Sequence, residues 1–221
     1  MLERVLEPEV MESTAEAEAY DAMDHREVNA AMVDDLLAAG LQRGDVLDLG
    51  TGTAQIPIEL CGRNEEVRVM AVDLAASMLE LARINIDMAG MLDRIQLEQV
   101  DAKGLDFADD MFDCVMSNSI VHHIPQPAGV LAEAVRVTAS GGLLFVRDLA
   151  RPESDAAVTH LVETYAAGQS DHARQLFDDS FRAALTVEEM QVLVAPLGAP
   201  GESVTMTSDR HWTWVWRKPA S

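Results

Sequence analysis

The chain has 221 residues, 48% of them apolar, which is enough for one packed core and too few for two full domains. Its 38 acidic against 16 basic residues give a net charge of −22; this argues against a nucleic-acid or anionic-membrane surface and favours neutral or cationic partners, or anionic ones held in a local basic niche. Cys61 and Cys114 have neither metal-ligand spacing nor a disulfide framework, and Met1 to Glu12 is charged throughout, so the expectation is a cytoplasmic chain with no signal peptide, no membrane span and no metal.

Ser13 and Glu16 make a capping-box pattern that starts a helix running past Tyr20, and Glu27 to Ala39 is a second helical stretch closed by Gly40. The run Val46-Leu47-Asp48-Leu49, bounded by Gly44 and Gly50, reads as a buried parallel strand. Gly50 allows a tight strand-to-helix turn, and Gly52, lacking a Cβ, lets backbone pass close to a ligand; Ala54 stands where a third glycine would fall. A helix follows from Gln55 to Cys61, with Pro57 tolerated in its first turn.

Val67 to Val72 is a second strand, ending in Asp73, 21 residues after Gly52. A carboxylate there can accept hydrogen bonds from ribose hydroxyls; the alternative is an aspartate that caps the next helix at Ala75. That helix runs from Ala75 to Ala89 and ends at Gly90. Ile95 to Val100 is a third strand, with Asp101-Ala102 directly after it, so a further acidic group lands at the same sheet edge. Two ligand classes stay open at this point: nicotinamide or flavin dinucleotides, and S-adenosylmethionine.

Phe112 to Ser117 is apolar and β-prone, and opens into Asn118-Ser119-Ile120-Val121-His122-His123-Ile124-Pro125. Four segments in order, VLDLGTGTA, AVDLAASMLELA, QVDAKGL and FDCVMSNSIVHHIPQP, resemble the class I S-adenosylmethionine-dependent methyltransferases over roughly Leu41 to Arg151. The resemblance implies a Rossmann-like α/β fold, a seven-stranded sheet with an antiparallel last strand and helices on both faces. It also implies a single domain made of an amino-terminal helical lid (1–40), a cofactor-binding core (41–151), a helical cap (152–200) and a terminal β-hairpin (201–221).

By position in those motifs, the turn Gly50-Thr51-Gly52 and Asp73 hold the cofactor, Asp48 orients the turn or reaches the ligand through water, and Leu74 and Met78 wall the adenine. Asp101 accepts from the exocyclic amine, the Ala102 N–H serves the ring nitrogens, and Ser117 and Asn118 meet the methionyl amine. From the lid, Tyr20 covers the cofactor and His25 reaches the acceptor. His123 either packs beneath the cofactor or handles a proton, and His122 is the weaker candidate of the two.

Pro127 to Val137 is the next helix, and Ser140-Gly141-Gly142 is a turn that launches a fifth strand, Leu143 to Val146. The charges behind it face the functional edge: Asp148 as general base or cation site, Arg147 and Arg151 as holders of a carboxylate or phosphate. Glu153 to Ala195 is helical with breaks near Gly168 and Thr186, the latter in a second capping box with Glu189; Tyr165, His172, Phe177 and Arg182 are candidate acceptor contacts. Strands Ser203 to Thr207 and His211 to Arg217 close the chain as a hairpin, with Trp212, Trp214 and Trp216 on one core-facing side.

The expected reaction is in-line methyl transfer from S-adenosylmethionine to a small-molecule acceptor, leaving S-adenosyl-L-homocysteine, by a chain that could assemble as a homodimer. The alternatives are a non-catalytic S-adenosylmethionine-binding regulator and a nicotinamide-dependent oxidoreductase.

Overall fold

The computed structural model describes residues 2–7 and 14–220. Helices α1 (Thr14–Asp21) and α2 (Arg26–Ala38) precede β1 (Gly44–Leu49), which is followed by α3 (Gln55–Arg63), β2 (Val67–Asp73), α4 (Ala76–Met88), β3 (Ile95–Gln99), β4 (Phe112–Asn118), α5 (Ala128–Val137) and β5 (Thr138–Leu149). Three helices, α6 (Asp155–Tyr165), α7 (Asp171–Ala183) and α8 (Val187–Val194), lead to β6 (Val204–Met206) and β7 (His211–Arg217). The strands form one sheet in the order β3-β2-β1-β4-β5-β7-β6. β1 pairs in parallel with β2 and β4, β2 with β3, and β6 runs antiparallel to β7. The order reverses between β1 and β4, and in open α/β sheets the carboxyl ends flanking such a switch point form the ligand crevice.

The described residues group into two compact units, the larger made of 14–118, 129–146 and 215–220, the smaller of 2–7, 119–128 and 147–214. In the larger, Val46, Val69, Ala71 and Met116 from the strands pack with Leu60, Cys61, Ala82 and Ile86 from the helices. In the smaller, Leu149, Val158, Leu161, Val162, Phe181 and Ala184 form the core.

The helix breaks fall where the punctuation placed them. Gly168 takes φ +81° between α6 and α7. Thr186 opens α8 through a reciprocal box, its hydroxyl accepting from the Glu189 N–H at 3.2 Å and its own N–H donating to Glu189 Oε2 at 2.9 Å. Ser13, the proposed cap of the first helix, lies outside the described residues. Trp212 and Trp214 are fully buried, but Trp216, nearer the strand end, is only half-buried.

β5 is a correction: it begins at Thr138, and Ser140-Gly141-Gly142 lies inside it rather than before it. The reason is backbone pairing, since the Gly141 N–H donates to the Lys218 carbonyl at 2.9 Å and the Lys218 N–H to the Gly142 carbonyl at 3.0 Å. Gly142 also sits against fixed atoms. A Cβ there would lie 2.8 Å from the Ala139 carbonyl oxygen and 3.0 Å from that of Asp113. Neither neighbour can swing away, so Gly142→Ala is expected to destabilise the protein by about 1–3 kcal/mol in urea unfolding; an unchanged midpoint would contradict this packing.

Candidate functional site

In the larger unit, the loop after β1 carries three residues in the left-handed region: Gly50 (φ +72°), Gly52 (φ +56°) and Ala54 (φ +62°). The buried Ala54 thus adopts the conformation a third glycine would take, at a cost of about 1–2 kcal/mol. The N–H groups of Gly50 and Thr51 both donate to the Val72 carbonyl at 2.9 Å, which ties the loop to the end of β2. Asp73 completes the tie. Its Oδ2 accepts from the Gly52 N–H at 2.8 Å and its Oδ1 from the Ala75 N–H at 2.9 Å. Asp73 therefore holds the glycine loop and also reaches the residue just ahead of α4, whose N-cap, Ala75, makes no side-chain capping bond of its own.

Asp48 is 2% exposed at the end of β1. Burial pushes its carboxyl up to about 7; the Thr51 hydroxyl pulls the other way and the Asp73 charge adds to the rise. Tyr20 on α1 stands over the loop, its ring carbon 3.8 Å from where a Gly52 Cβ would be, and packs on His25 with ring centroids 4.9 Å apart. Burial, then the charges of Asp73, Asp48 and Asp21, raise the Tyr20 hydroxyl, so it remains a donor. Burial lowers His25 and keeps it neutral near pH 7.

Sequence reasoning missed Asp21. Its carboxylate accepts from Asn85 of α4 at 2.9 Å and Gln55 of α3 at 3.1 Å, anchoring the end of α1 beside the loop. No local pattern distinguishes it from the other acids of the leader.

The remaining cofactor candidates are distributed unevenly. Ser117 is buried and donates to the Leu49 carbonyl at 2.9 Å, joining β4 to β1 at the switch point; Asn118 is half-buried beside it. Met78 belongs to a buried cluster with Ala17 and Ala75, whereas Leu74 is 38% exposed. Asp101 is exposed, accepts from the Lys103 N–H at 2.9 Å and faces Lys103 Nζ at 3.2 Å; Ala102 is half-buried.

In the smaller unit, Val121–His123 forms a single 3-10 turn. Here the weighting of the two histidines changes, for His122 and not His123 is the buried partner of Asp148. The His122 N–H donates to Asp148 Oδ2 at 3.0 Å and its Nδ1 lies 2.5 Å from Oδ1. Burial opposes charge on both, but their mutual attraction prevails: His122 titrates above the ordinary imidazole range and Asp148 below the ordinary carboxylate range. Asp148 also accepts from the Leu149 N–H and is fully buried, so its carboxylate is committed internally. His123 is half-buried, with Nδ1 3.1 Å from Glu7.

The acceptor candidates of this unit are likewise engaged. Arg147 donates to Thr213 at 3.0 Å, Arg151 to the Ala184 carbonyl and Glu189, and Arg182 to Asp178 and Asp155. The Tyr165 hydroxyl donates to Asp209 at 2.5 Å while Arg210 lies over its ring. Arg4, which carried no sequence signal, donates to the carbonyls of His122, Ile124 and Ala183 and so braces the histidine turn.

Residues 47–146 match the family described as "Methyltransferase domain". A phosphatidylethanolamine N-methyltransferase from Cereibacter sphaeroides is 34% identical over 52% of this chain and 55% of its own length. The ubiquinone/menaquinone biosynthesis C-methyltransferase UbiE of Francisella philomiragia is 31% identical over 51% of this chain and 46% of its own length. The chain thus spans about half the length of the curated relatives it matches. Among solved structures, a SAM-dependent methyltransferase from Aquifex aeolicus aligns with a TM-score of 0.69 at 17% identity, over 93% of this chain and 98% of that one. The plantazolicin methyltransferase BamL, solved with SAH and a triazolic desmethylPZN analogue, aligns at 0.63 and 16% identity over 87% and 68%. At such identities the likeness is one of fold.

Asp48 provides a pH test. A carboxyl raised on folding from an ordinary value of about 4 contributes stability that is fully present below about pH 4, declines as pH rises and is gone above about pH 7. Asp48→Asn is expected to remove on the order of 2–3 kcal/mol of the stability difference between pH 5 and pH 8, measured by urea unfolding of the cofactor-free protein. Parallel pH profiles for variant and parent would refute the buried, uncompensated carboxyl.

Proposed function

We propose that this chain, whose central region belongs to the class I S-adenosylmethionine-dependent methyltransferases, transfers the cofactor's methyl group to a small-molecule acceptor by in-line displacement. The observation that carries the reading is the pair of hydrogen bonds by which Asp73 joins the glycine loop at Gly52 to Ala75, the residue ahead of α4. A loop without side chains at Gly50 and Gly52 and a carboxylate at the end of the second strand suit a nucleoside whose ribose hydroxyls donate.

The electrostatics favour this cofactor over a dinucleotide. Asp21, Asp48 and Asp73 all act on the Tyr20 hydroxyl beside the loop, a concentration of acid that repels a pyrophosphate and attracts a ligand bearing sulfonium and ammonium charges. When bound, S-adenosylmethionine supplies an electrophilic methyl on a sulfonium whose charge disappears as the methyl leaves. In this reading Asp73 accepts from the ribose, Asp101 and the Ala102 N–H meet the adenine edge between Leu74 and Met78, and Ser117 and Asn118 receive the methionyl amine. Asp48 orients the Gly50-Thr51-Gly52 turn and Tyr20 covers it. The protein then contributes orientation and exclusion of water, and a base is required only where the acceptor must lose a proton before or during transfer.

Relatives named for nitrogen and for carbon methylation both match this chain, so the matched region is compatible with either kind of acceptor atom. Because Arg151 and Arg182 are already paired with carboxylates, a neutral or cationic acceptor fits better than an anionic one. The net charge of −22 supports the same preference and speaks against a nucleic-acid substrate. Among the described residues no helix is long and apolar enough to cross a membrane.

Calorimetric titration is expected to show binding of S-adenosylmethionine and S-adenosylhomocysteine but not NAD, followed by methyl transfer on a panel of neutral and cationic small molecules. Asp73→Ala should weaken cofactor binding by about 2–4 kcal/mol, roughly 30- to 1000-fold, with the fold retained by circular dichroism. Unchanged affinity would remove the ribose contact, and tight cofactor binding without turnover on any acceptor would favour a regulatory protein.

A further inference from the structure

We propose that Glu7, His122 and His123 form a binding site for one divalent transition-metal ion, with Zn2+ the first choice. The site lies wholly within the smaller unit and does not depend on the methyl-transfer reading. No local pattern announces it, because Glu7 is more than a hundred residues from the histidine pair.

The geometry is that of a shared ion. Glu7 Oε1 lies 3.3 Å from His122 Nε2 and 3.1 Å from His123 Nδ1, and the three atoms are all within 4.8 Å of one another. Ligands at about 2.0–2.2 Å from one ion, at octahedral or tetrahedral angles, stand about 2.8–3.6 Å apart. The two imidazole rings have centroids 4.1 Å apart, close enough to occupy neighbouring positions on that ion.

The polar atoms concerned are otherwise unsatisfied. The Glu7 side chain is 8% exposed, and both its Oε1 and His123 Nδ1 are buried without a hydrogen-bond partner, since their mutual approach misses hydrogen-bond geometry. A buried carboxylate oxygen left in that condition costs about 1–3 kcal/mol or more, and an ion would supply what both atoms lack.

The surrounding contacts hold the ligands in place. His122 Nδ1 lies 2.5 Å from Asp148, leaving Nε2 to face Glu7, and Glu7 Oε2 accepts from the Ser180 hydroxyl at 3.2 Å. A carboxylate behind a ligating imidazole, and a hydroxyl behind a ligating carboxylate, are the usual means of fixing tautomer and orientation. Arg4 brings a positive charge nearby, but its donors are taken up by carbonyls, and the two carboxylates of Glu7 and Asp148 outweigh it. Two imidazoles and one carboxylate suit Zn2+, Co2+ or Fe2+ in preference to Mg2+ or Ca2+, and three protein ligands leave a coordination position open. The bound ion would pin residues 2–7 to the 119–128 turn.

The test is metal titration of the full chain after chelator treatment and dialysis. Zn2+, followed by competition with a chromophoric chelator, is expected to bind at one equivalent per chain, and Co2+ to develop visible absorption at the same stoichiometry, with Mg2+ unable to displace either. Glu7→Gln, which keeps the volume and the Ser180 contact, and His123→Ala should each weaken Zn2+ binding by at least about 100-fold, and Ser180→Ala by about tenfold. Circular dichroism of the metal-free variants separates loss of a ligand from loss of fold. No stoichiometric binding by the parent, or equal binding by folded Glu7→Gln and His123→Ala variants, would overturn the site.

Discussion

Asp73 accepts backbone hydrogen bonds from Gly52 and Ala75, and through them the end of β2 ties the loop that follows β1 to the residue that leads into α4. The loop needs this hold. It contains three left-handed residues, one of them an alanine, and strain of that kind persists only where the surroundings over-determine the backbone. The Val72 carbonyl, accepting from both Gly50 and Thr51, supplies the rest of the restraint.

Around that loop the larger unit gathers negative charge instead of dispersing it. Asp48 is buried beneath the turn, Asp73 borders it, and Asp21 closes the end of α1 against side chains from α3 and α4. Burial is the main reason Asp48 holds its proton to neutral pH, and the nearby Asp73 charge adds to it. A cationic cofactor would relieve the repulsion, so the same arrangement that weakens the unliganded state selects the sign of the ligand.

The smaller unit follows another rule, in which charged groups are satisfied internally. Arg147, Arg151 and Arg182 reach a hydroxyl, carbonyls and carboxylates of their own unit, and Asp148 is enclosed by His122 and the Leu149 backbone. Among the described residues of this unit, Glu7 Oε1 and His123 Nδ1 are buried without a partner, as are Arg151 Nε and Trp212 Nε1, but only the first two are atoms that can ligate a metal ion. Buried polar groups left unpaired in an otherwise satisfied network mark the place where a further ligand would have most to gain.

What the sequence determined by itself is local. The strand and helix patterns, the glycine turn, the Thr186–Glu189 box and the terminal hairpin all depend on residues near one another in the chain, and each formed where its pattern lay. The length of β5 could not be read this way, because Ser140 to Gly142 is strand only by virtue of pairing with Lys218. Nor could the division between His122 and His123, adjacent and chemically identical, which is made by Asp148 from another strand and Glu7 from the far end of the chain. Composition and spacing report what a segment prefers; which side chain is buried, and which charge finds a partner, is decided only when segments remote in sequence are packed together, since desolvation and Coulomb attraction depend on distance in space.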